Sequence, residues 1–139
     1  MSSIVFATIA AAMAACGNSA AAPSSFRFDG QWIGTTADGS PISFVVSQDQ
    51  TVTTLTAGYN FNGCSGTAVF AGLRLAIDTS TTRSQARLGF ALSIGPPGGP
   101  DHTDVLGTFL SSTSANGSVL FVGYTGCGNG AGFWTATKR

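Results

Sequence analysis

Apolar residues alternate with polar ones along nearly all of the chain from residue 26 onward. The segment FRFDGQWIG places Phe26, Phe28 and Trp32 on one face and charged or amide side chains on the other. The same period of two recurs in later segments, and it is the period of a β-strand with one buried face. The chain is therefore predicted to be all-β. The inward positions of the later segments are Ile42, Phe44, Val46, Leu55, Ala57, Tyr59, Phe61, Leu73, Leu75, Ile77, Leu88, Phe90, Leu92, Ile94, Val105, Gly107 and Phe109.

Short polar breaks separate these segments. Asp38-Gly39 and Asn116-Gly117 are dipeptides that favour type I′ hairpin turns, and further breaks occur at 48–50, 62–66 and 79–84. Short connections favour antiparallel pairing of neighbours. We predict about eight or nine strands in a single antiparallel up-and-down meander, closed as a β-sandwich or a flattened barrel. The last two segments, SVLFVGY and GFWTATK, are partly apolar on both faces, which is typical of central strands.

An apolar run, residues 4–15, precedes Cys16. The run is shorter than the roughly 20 residues of a transmembrane helix and has the length of a signal-peptide core. Met13, Ala14 and Ala15 directly before Cys16 resemble the lipobox of bacterial lipoproteins. The resemblance implies cleavage before Cys16, a diacylglyceryl group on its sulfur, and a place on the bacterial cell envelope, at the outer membrane or cell surface. The alternative is an alanine-rich first helix packed on the domain.

This interpretation divides the chain into a signal peptide over 1–15, a lipidated cysteine with a tether over 16–25, and one β domain over 26–139. The tether sequence GNSAAAPSS has no apolar periodicity, which is typical of a flexible linker. Only 9% of the residues are charged and the formal net charge is zero. Nucleic acid is excluded as a predicted partner, because proteins that bind it carry basic patches.

Cys64 and Cys127 both lie in glycine-rich segments, NGCSG and TGCGNG. An exported chain meets an oxidising compartment, so we predict a disulfide between them. The alternatives are a zinc site, for which two single cysteines and one histidine lack ligand pairs at the usual spacing, and a catalytic cysteine acting with His102, for which neither cysteine has an activating motif. No metal or other cofactor is predicted.

The single histidine, His102, lies in the segment GPPGGPDHTD, residues 95–104. Asp101 and Asp104 flank it, and carboxylates beside an imidazole can orient a base or bind a metal. We interpret the segment as a solvated loop at one rim of the domain, with Asp101 and His102 as candidate ligand contacts. No catalytic residue is predicted, and a hydrolase using His102 stays as an alternative.

Aromatic side chains supply the other candidate contacts. Trp134, Tyr124 and Tyr59 are candidates for stacking on a sugar ring or anchoring a protein partner, whereas Trp32 shares the core-facing phase of its strand. Gly30-x-Trp32 in FDGQW resembles the opening motif of lipocalin and avidin-like barrels. That resemblance implies a calycin-like carrier of a small apolar ligand, although large inward side chains favour a filled core.

The sequence as a whole predicts a non-enzymatic binding or structural module that is lipid-anchored to the envelope. Its ligand is left open between a glycan, a protein and a small apolar molecule.

Overall fold

The computed structural model describes residues 27–77, 88–95 and 101–139. The predicted signal peptide, Cys16 and the tether lie outside the described residues. The described residues form eight strands and one short 3₁₀ turn. In chain order these are β1 Gly30–Thr36, β2 Pro41–Val46, β3 Thr51–Phe61, β4 Cys64–Ala76, β5 Gly89–Ile94, β6 His102–Phe109, β7 Ser114–Val122, the turn Tyr124–Gly126, and β8 Gly130–Lys138.

All eight strands belong to one antiparallel sheet with the order β4-β3-β2-β1-β8-β7-β6-β5. The first and last strands pair with each other, Gly34 opposite Ala136, so the sheet curls into a nearly closed barrel. Its two edge strands are β4 and β5, which are consecutive in the chain. The predicted all-β meander is confirmed, and the closed form is barrel-like. The two segments that are apolar on both faces, β7 and β8, are central strands.

The hairpin turns differ in part from the sequence prediction. Asp38-Gly39 does lie in the β1–β2 turn, where Gly39 has φ 84°. The two-residue turn with positive φ at both positions occurs instead at Asn62 and Gly63, with φ 53° and 77°. Phe61 pairs with Cys64 around it, so β4 begins directly after the turn and the predicted break over 62–66 was too long.

The prediction of a turn at Asn116-Gly117 is wrong, because both residues lie inside β7. Gly117 pairs with Gly107 on one side and with Trp134 on the other. A Cβ on Gly117 would collide with the carbonyl oxygen of Leu106 and with the Trp134 ring, so the glycine makes room for the neighbouring strand and for the indole. These two close approaches, and not a turn, explain the glycine.

The boundary of β6 also differs from the prediction. The segment 95–104 was interpreted as a loop, but β6 starts at His102, which pairs with Val122. His102 and Asp104 therefore stand on a strand with a fixed direction. Residues 96–100 of the segment lie outside the described residues.

Aromatic rings fill the interior of the barrel. Trp32 is fully buried, stacks on Phe44 with ring centroids 5.6 Å apart, and meets Phe109 edge-on at 5.0 Å. Its indole N–H donates a 2.8 Å hydrogen bond to the carbonyl of Phe28, whose ring stacks on Phe109 at 4.2 Å. Further along the barrel, Trp134 packs edge-on against Phe44 at 5.8 Å. The interior is thus occupied by the protein's own side chains.

The two buried tryptophans differ in one respect that can be measured. Trp32 has its hydrogen bond, whereas Nε1 of Trp134 has no hydrogen-bond partner among the described residues. Both Trp→Phe substitutions remove ring volume, but only Trp32→Phe also breaks a buried hydrogen bond. We expect Trp32→Phe to lower the free energy of unfolding by about 2–4 kcal/mol and Trp134→Phe by about 1–2 kcal/mol. Chemical denaturation of both variants measures the difference, and equal losses would contradict it.

Candidate functional site

Alternate connections of the meander meet at one end of the barrel, here termed the distal end. It carries the β1–β2, β3–β4, β5–β6 and β7–β8 connections, whereas the chain at Arg27 and at Arg139 lies at the opposite, proximal end. The predicted contacts Tyr59, Tyr124, Asp101 and His102 all lie toward the distal end. Phe28 and Trp32 close the proximal end.

The structure brings Tyr59 and Tyr124 together at the distal end. Their ring centroids lie 5.1 Å apart, and both rings contact Phe121. Burial raises the pKa of the Tyr124 hydroxyl above its usual value, and the nearby Tyr59 adds a smaller effect in the same direction. Both rings are half-buried and pack against the core. The two rings therefore cover the distal end of the core and offer little flat surface to a ligand.

The predicted disulfide between Cys64 and Cys127 is confirmed, with their Cα atoms 6.0 Å apart. It joins the β3–β4 hairpin to the β7–β8 connection. The Asn62 amide does the same, donating hydrogen bonds to the carbonyls of Cys127 at 2.9 Å and Asn129 at 3.3 Å. The Phe61 ring lies on Gly130, where a Cβ would come within 2.2 Å of the ring.

These links cross a gap between the end of β3 and the start of β8, which exists because the β1–β2 hairpin between them is short. The hairpin's last pairs with its neighbours are Ile42 with Ala57 of β3 and Thr36 with Trp134 of β8, and both neighbouring strands extend beyond it. Asp38 at the hairpin tip is held by hydrogen bonds from Thr36 and from Ser40, which lower the pKa of its carboxyl below the usual value. The space left in the gap is a cavity of about 50 Å³.

A cavity of that size is far below the several hundred Å³ of a small-molecule site. The residues described therefore give no support to a carrier that holds an apolar ligand inside the barrel. Trp32 does pack at one barrel end against Phe44 and Phe109, but aromatic rings also occupy the space where a calycin-like carrier would hold its ligand.

His102, Asp104 and Ser93 lie in a row, but the order of the three side chains does not suit a catalytic triad. Its Nε2 is 3.5 Å from Oδ2 of Asp104, and the Ser93 hydroxyl donates a 2.6 Å hydrogen bond to the other oxygen of the same carboxylate. A nucleophilic serine needs the imidazole next to its hydroxyl and the carboxylate behind the imidazole. Here the carboxylate stands between the two, so His102 does not activate Ser93. Asp101 is exposed and directly precedes the first residue of β6.

The orientation of the last two aromatic residues determines where a ligand can bind. Trp134 was a candidate contact, and it is 1% exposed with its ring in the core. Phe133, which the sequence analysis did not select, is 78% exposed on the outer face of β8. The alternation of GFWTATK contains the missed signal, because Trp134 and Ala136 share one phase and leave Phe133 with the threonines.

Phe133 stands in a cross-strand row on the outer face of the barrel. Ser118 of β7 is opposite it, and Leu106 of β6, 53% exposed, is opposite Ser118. Residues directly opposite each other share a face of the sheet, so Phe133 and Leu106 form two apolar walls with a hydroxyl between them. The adjacent row consists of Thr108, Asn116 and Thr135.

These two rows line a groove of about 450 Å³, termed here the Phe133 groove. Its side chains are Leu106, Thr108, Asn116, Ser118, Phe133 and Thr135, with Gly117 and Trp134 completing the lining. On the other side of the Phe133 ring, Thr35 and Ala37 line a second depression of about 180 Å³. The ring is therefore a ridge between two hollows. All described residues that line either hollow are uncharged.

Comparisons with known proteins add no assignment. No protein family, curated protein or solved structure matches this chain. Within the described ranges, no group of three or more histidine, cysteine or acidic residues is arranged to hold a metal ion. No helix in the same ranges is long and apolar enough to cross a membrane.

Removing the disulfide tests its role at the distal end. In the chain-entropy model, a crosslink between residues 63 positions apart stabilises the fold by up to about 4 kcal/mol. We expect Cys64→Ala with Cys127→Ala to lower the free energy of unfolding by about 2–4 kcal/mol. Because the bond spans the gap, hydrogen exchange at 58–61 should rise more than exchange in β6. An equal rise in both segments would show that the bond has no local role.

Proposed function

We propose that this protein is a non-enzymatic binding module of the bacterial cell envelope, anchored through a lipid on Cys16. In this proposal its ligand binds outside the barrel, in the Phe133 groove. The observation that carries the proposal is that the Phe133 ring is exposed on the outer face of the barrel while the barrel interior is filled with side chains. Contiguous apolar patches on a protein surface often mark interaction sites, and here two exposed apolar side chains border one groove.

The filled interior supports the outer location. Buried aromatic rings occupy the barrel axis from Phe28 to Phe121, and the cavity at the distal end holds about 50 Å³. The Phe133 groove is an open surface depression of about 450 Å³. It has room for a ligand larger than a few water molecules, which the cavity at the distal end does not.

The direction of the chain is compatible with the anchor. The described chain starts at Arg27 at the proximal end. A tether that leaves from Arg27 would hold this end nearest the membrane, with the outer face of the barrel beside it. The Cys64–Cys127 disulfide is compatible with an oxidising compartment.

The anchor is tested by the intact mass of the chain after expression in a bacterial host. We expect a membrane-fraction protein that starts at Cys16 and carries a diacylglyceryl group, with a further acyl chain on its amino group. Cys16→Ala is the control and should yield no acylated mass, because the sulfur that accepts the lipid is absent. An unprocessed Met1 start in the wild-type chain would refute the lipid anchor.

The binding face is tested by retention on envelopes of the organism that makes the protein. The envelopes are delipidated and the full chain is applied in detergent, so that an acyl anchor stays in the micelle. We expect Phe133→Ala to weaken retention at least tenfold, because it removes the ring that both hollows share. That loss corresponds to about 1.4 kcal/mol, a magnitude typical of an interface hot spot.

Val69→Ala is the matched control for this experiment. Val69 is 64% exposed on the outer face of β4, away from the groove, so both variants remove an exposed apolar side chain. Neither should change the stability of the fold by more than about 0.5 kcal/mol. Equal retention of Phe133→Ala and the wild type would refute this binding face.

A further inference from the structure

We propose that the Phe133 groove binds a neutral glycan, with one sugar ring held between Phe133 and Leu106. This inference rests on the proposed function, since it names the ligand class of the same groove. Its basis is the combination of two apolar walls, a row of hydroxyl and amide groups, and the absence of charge among the described lining residues.

The width of the groove limits what fits in it. Phe133 and Leu106 stand on β8 and β6, with β7 between them. Neighbouring strands lie about 4.8 Å apart, so the Cα atoms of the two walls are separated by about 10 Å. An α-helix with its side chains is itself about 10–12 Å in diameter, so it does not fit between the walls. A single sugar ring is narrower and does fit.

The walls and floor match the two kinds of surface on a sugar. The C–H faces of a sugar ring are weakly apolar, and the face of an aromatic ring is electron-rich, so Phe133 offers a stacking partner. The hydroxyls at the ring edge both donate and accept hydrogen bonds. Asn116, Ser118 and Thr135, which line the groove, also do both.

The lack of charge selects against other ligands. An anionic or cationic ligand loses hydration when it enters a groove, and it recovers that loss through an ion pair. The described residues that line the Phe133 groove include no charged side chain that could form such an ion pair. The nearest carboxylate along the outer face of β6, Asp104, already accepts a hydrogen bond from Ser93 and stands 3.5 Å from His102. A ligand with hydroxyls and no charge is favoured.

The sheet topology selects against an extended peptide. Peptides that bind to sheets commonly add a strand to an exposed edge, where backbone N–H and C=O groups are unpaired. The groove lies over β6, β7 and β8, each of which is paired on both sides, and the sheet edges are β4 and β5. The floor therefore presents side chains and not a hydrogen-bonding edge. A sugar requires no such edge.

The experiment divides delipidated envelopes into three portions. One is left untreated, one is oxidised with periodate, which cleaves vicinal diols of sugars, and one is digested with protease. The full chain in detergent is applied to each portion. We expect periodate to reduce retention at least tenfold and protease to leave it intact. Loss after both treatments also supports the proposal, because the sugar is then carried by a protein.

A second variant separates stacking from plain apolar contact. Phe133→Leu keeps an apolar side chain but removes the flat ring, so we expect retention to fall at least fivefold. Mannan, dextran and a mixed-linkage β-glucan serve as defined neutral probes in affinity electrophoresis. At least one of them should retard the wild-type chain and not Phe133→Leu.

The outcomes distinguish this inference from the proposed function. Loss of retention after protease but not after periodate identifies a protein partner, which overturns the glycan inference and leaves the binding face intact. Retention of Phe133→Leu at the wild-type level, or no retardation by any neutral polysaccharide, also overturns the inference. If Phe133→Ala changes nothing on untreated envelopes, the binding face and the glycan inference both fail.

Discussion

The packing of Trp32 determines much of this structure. Its ring lies between Phe44 of β2 and Phe109 of β6, strands on opposite sides of the β1–β8 junction, and its N–H is bonded to the Phe28 carbonyl. One buried side chain thus joins the two halves of the sheet and closes the proximal end. Because large rings meet inside the barrel, the described residues leave little room there for a ligand. For this reason the binding site that we propose lies on the outer surface.

At the distal end, side chains replace backbone pairing. The β1–β2 hairpin is too short to pair with the last residues of β3 and the first residues of β8. The Phe61 ring, the Asn62 amide and the Cys64–Cys127 bond connect these strands instead. A crosslink is most effective where the ladder of hydrogen bonds is interrupted, because the rest of the barrel is already held by strand pairing.

The sequence was sufficient to predict the strands, because burying one face of a strand imposes a period of two on its side chains. It was not sufficient where a tertiary contact overrides a local preference. Asn116-Gly117 has the composition of a turn, yet Gly117 serves to admit the Trp134 ring. The start of β6 at His102 depends on pairing with Val122, which composition does not reveal. The disulfide prediction is confirmed because, once Cys16 was assigned to the lipobox-like motif, the two remaining cysteines had one pairing.

The choice between Phe133 and Trp134 has a local signal and a tertiary cause. Adjacent residues of a strand face opposite sides, so one of these aromatics had to be outside, and the alternation of GFWTATK puts Trp134 in phase with Ala136. The register gives the physical reason: Trp134 is opposite Gly117, the position with room for an indole, and Phe133 is opposite Ser118. The glycine that admits the tryptophan to the core therefore also directs the phenylalanine outward. The binding groove that we propose is in this sense a consequence of how the core is packed.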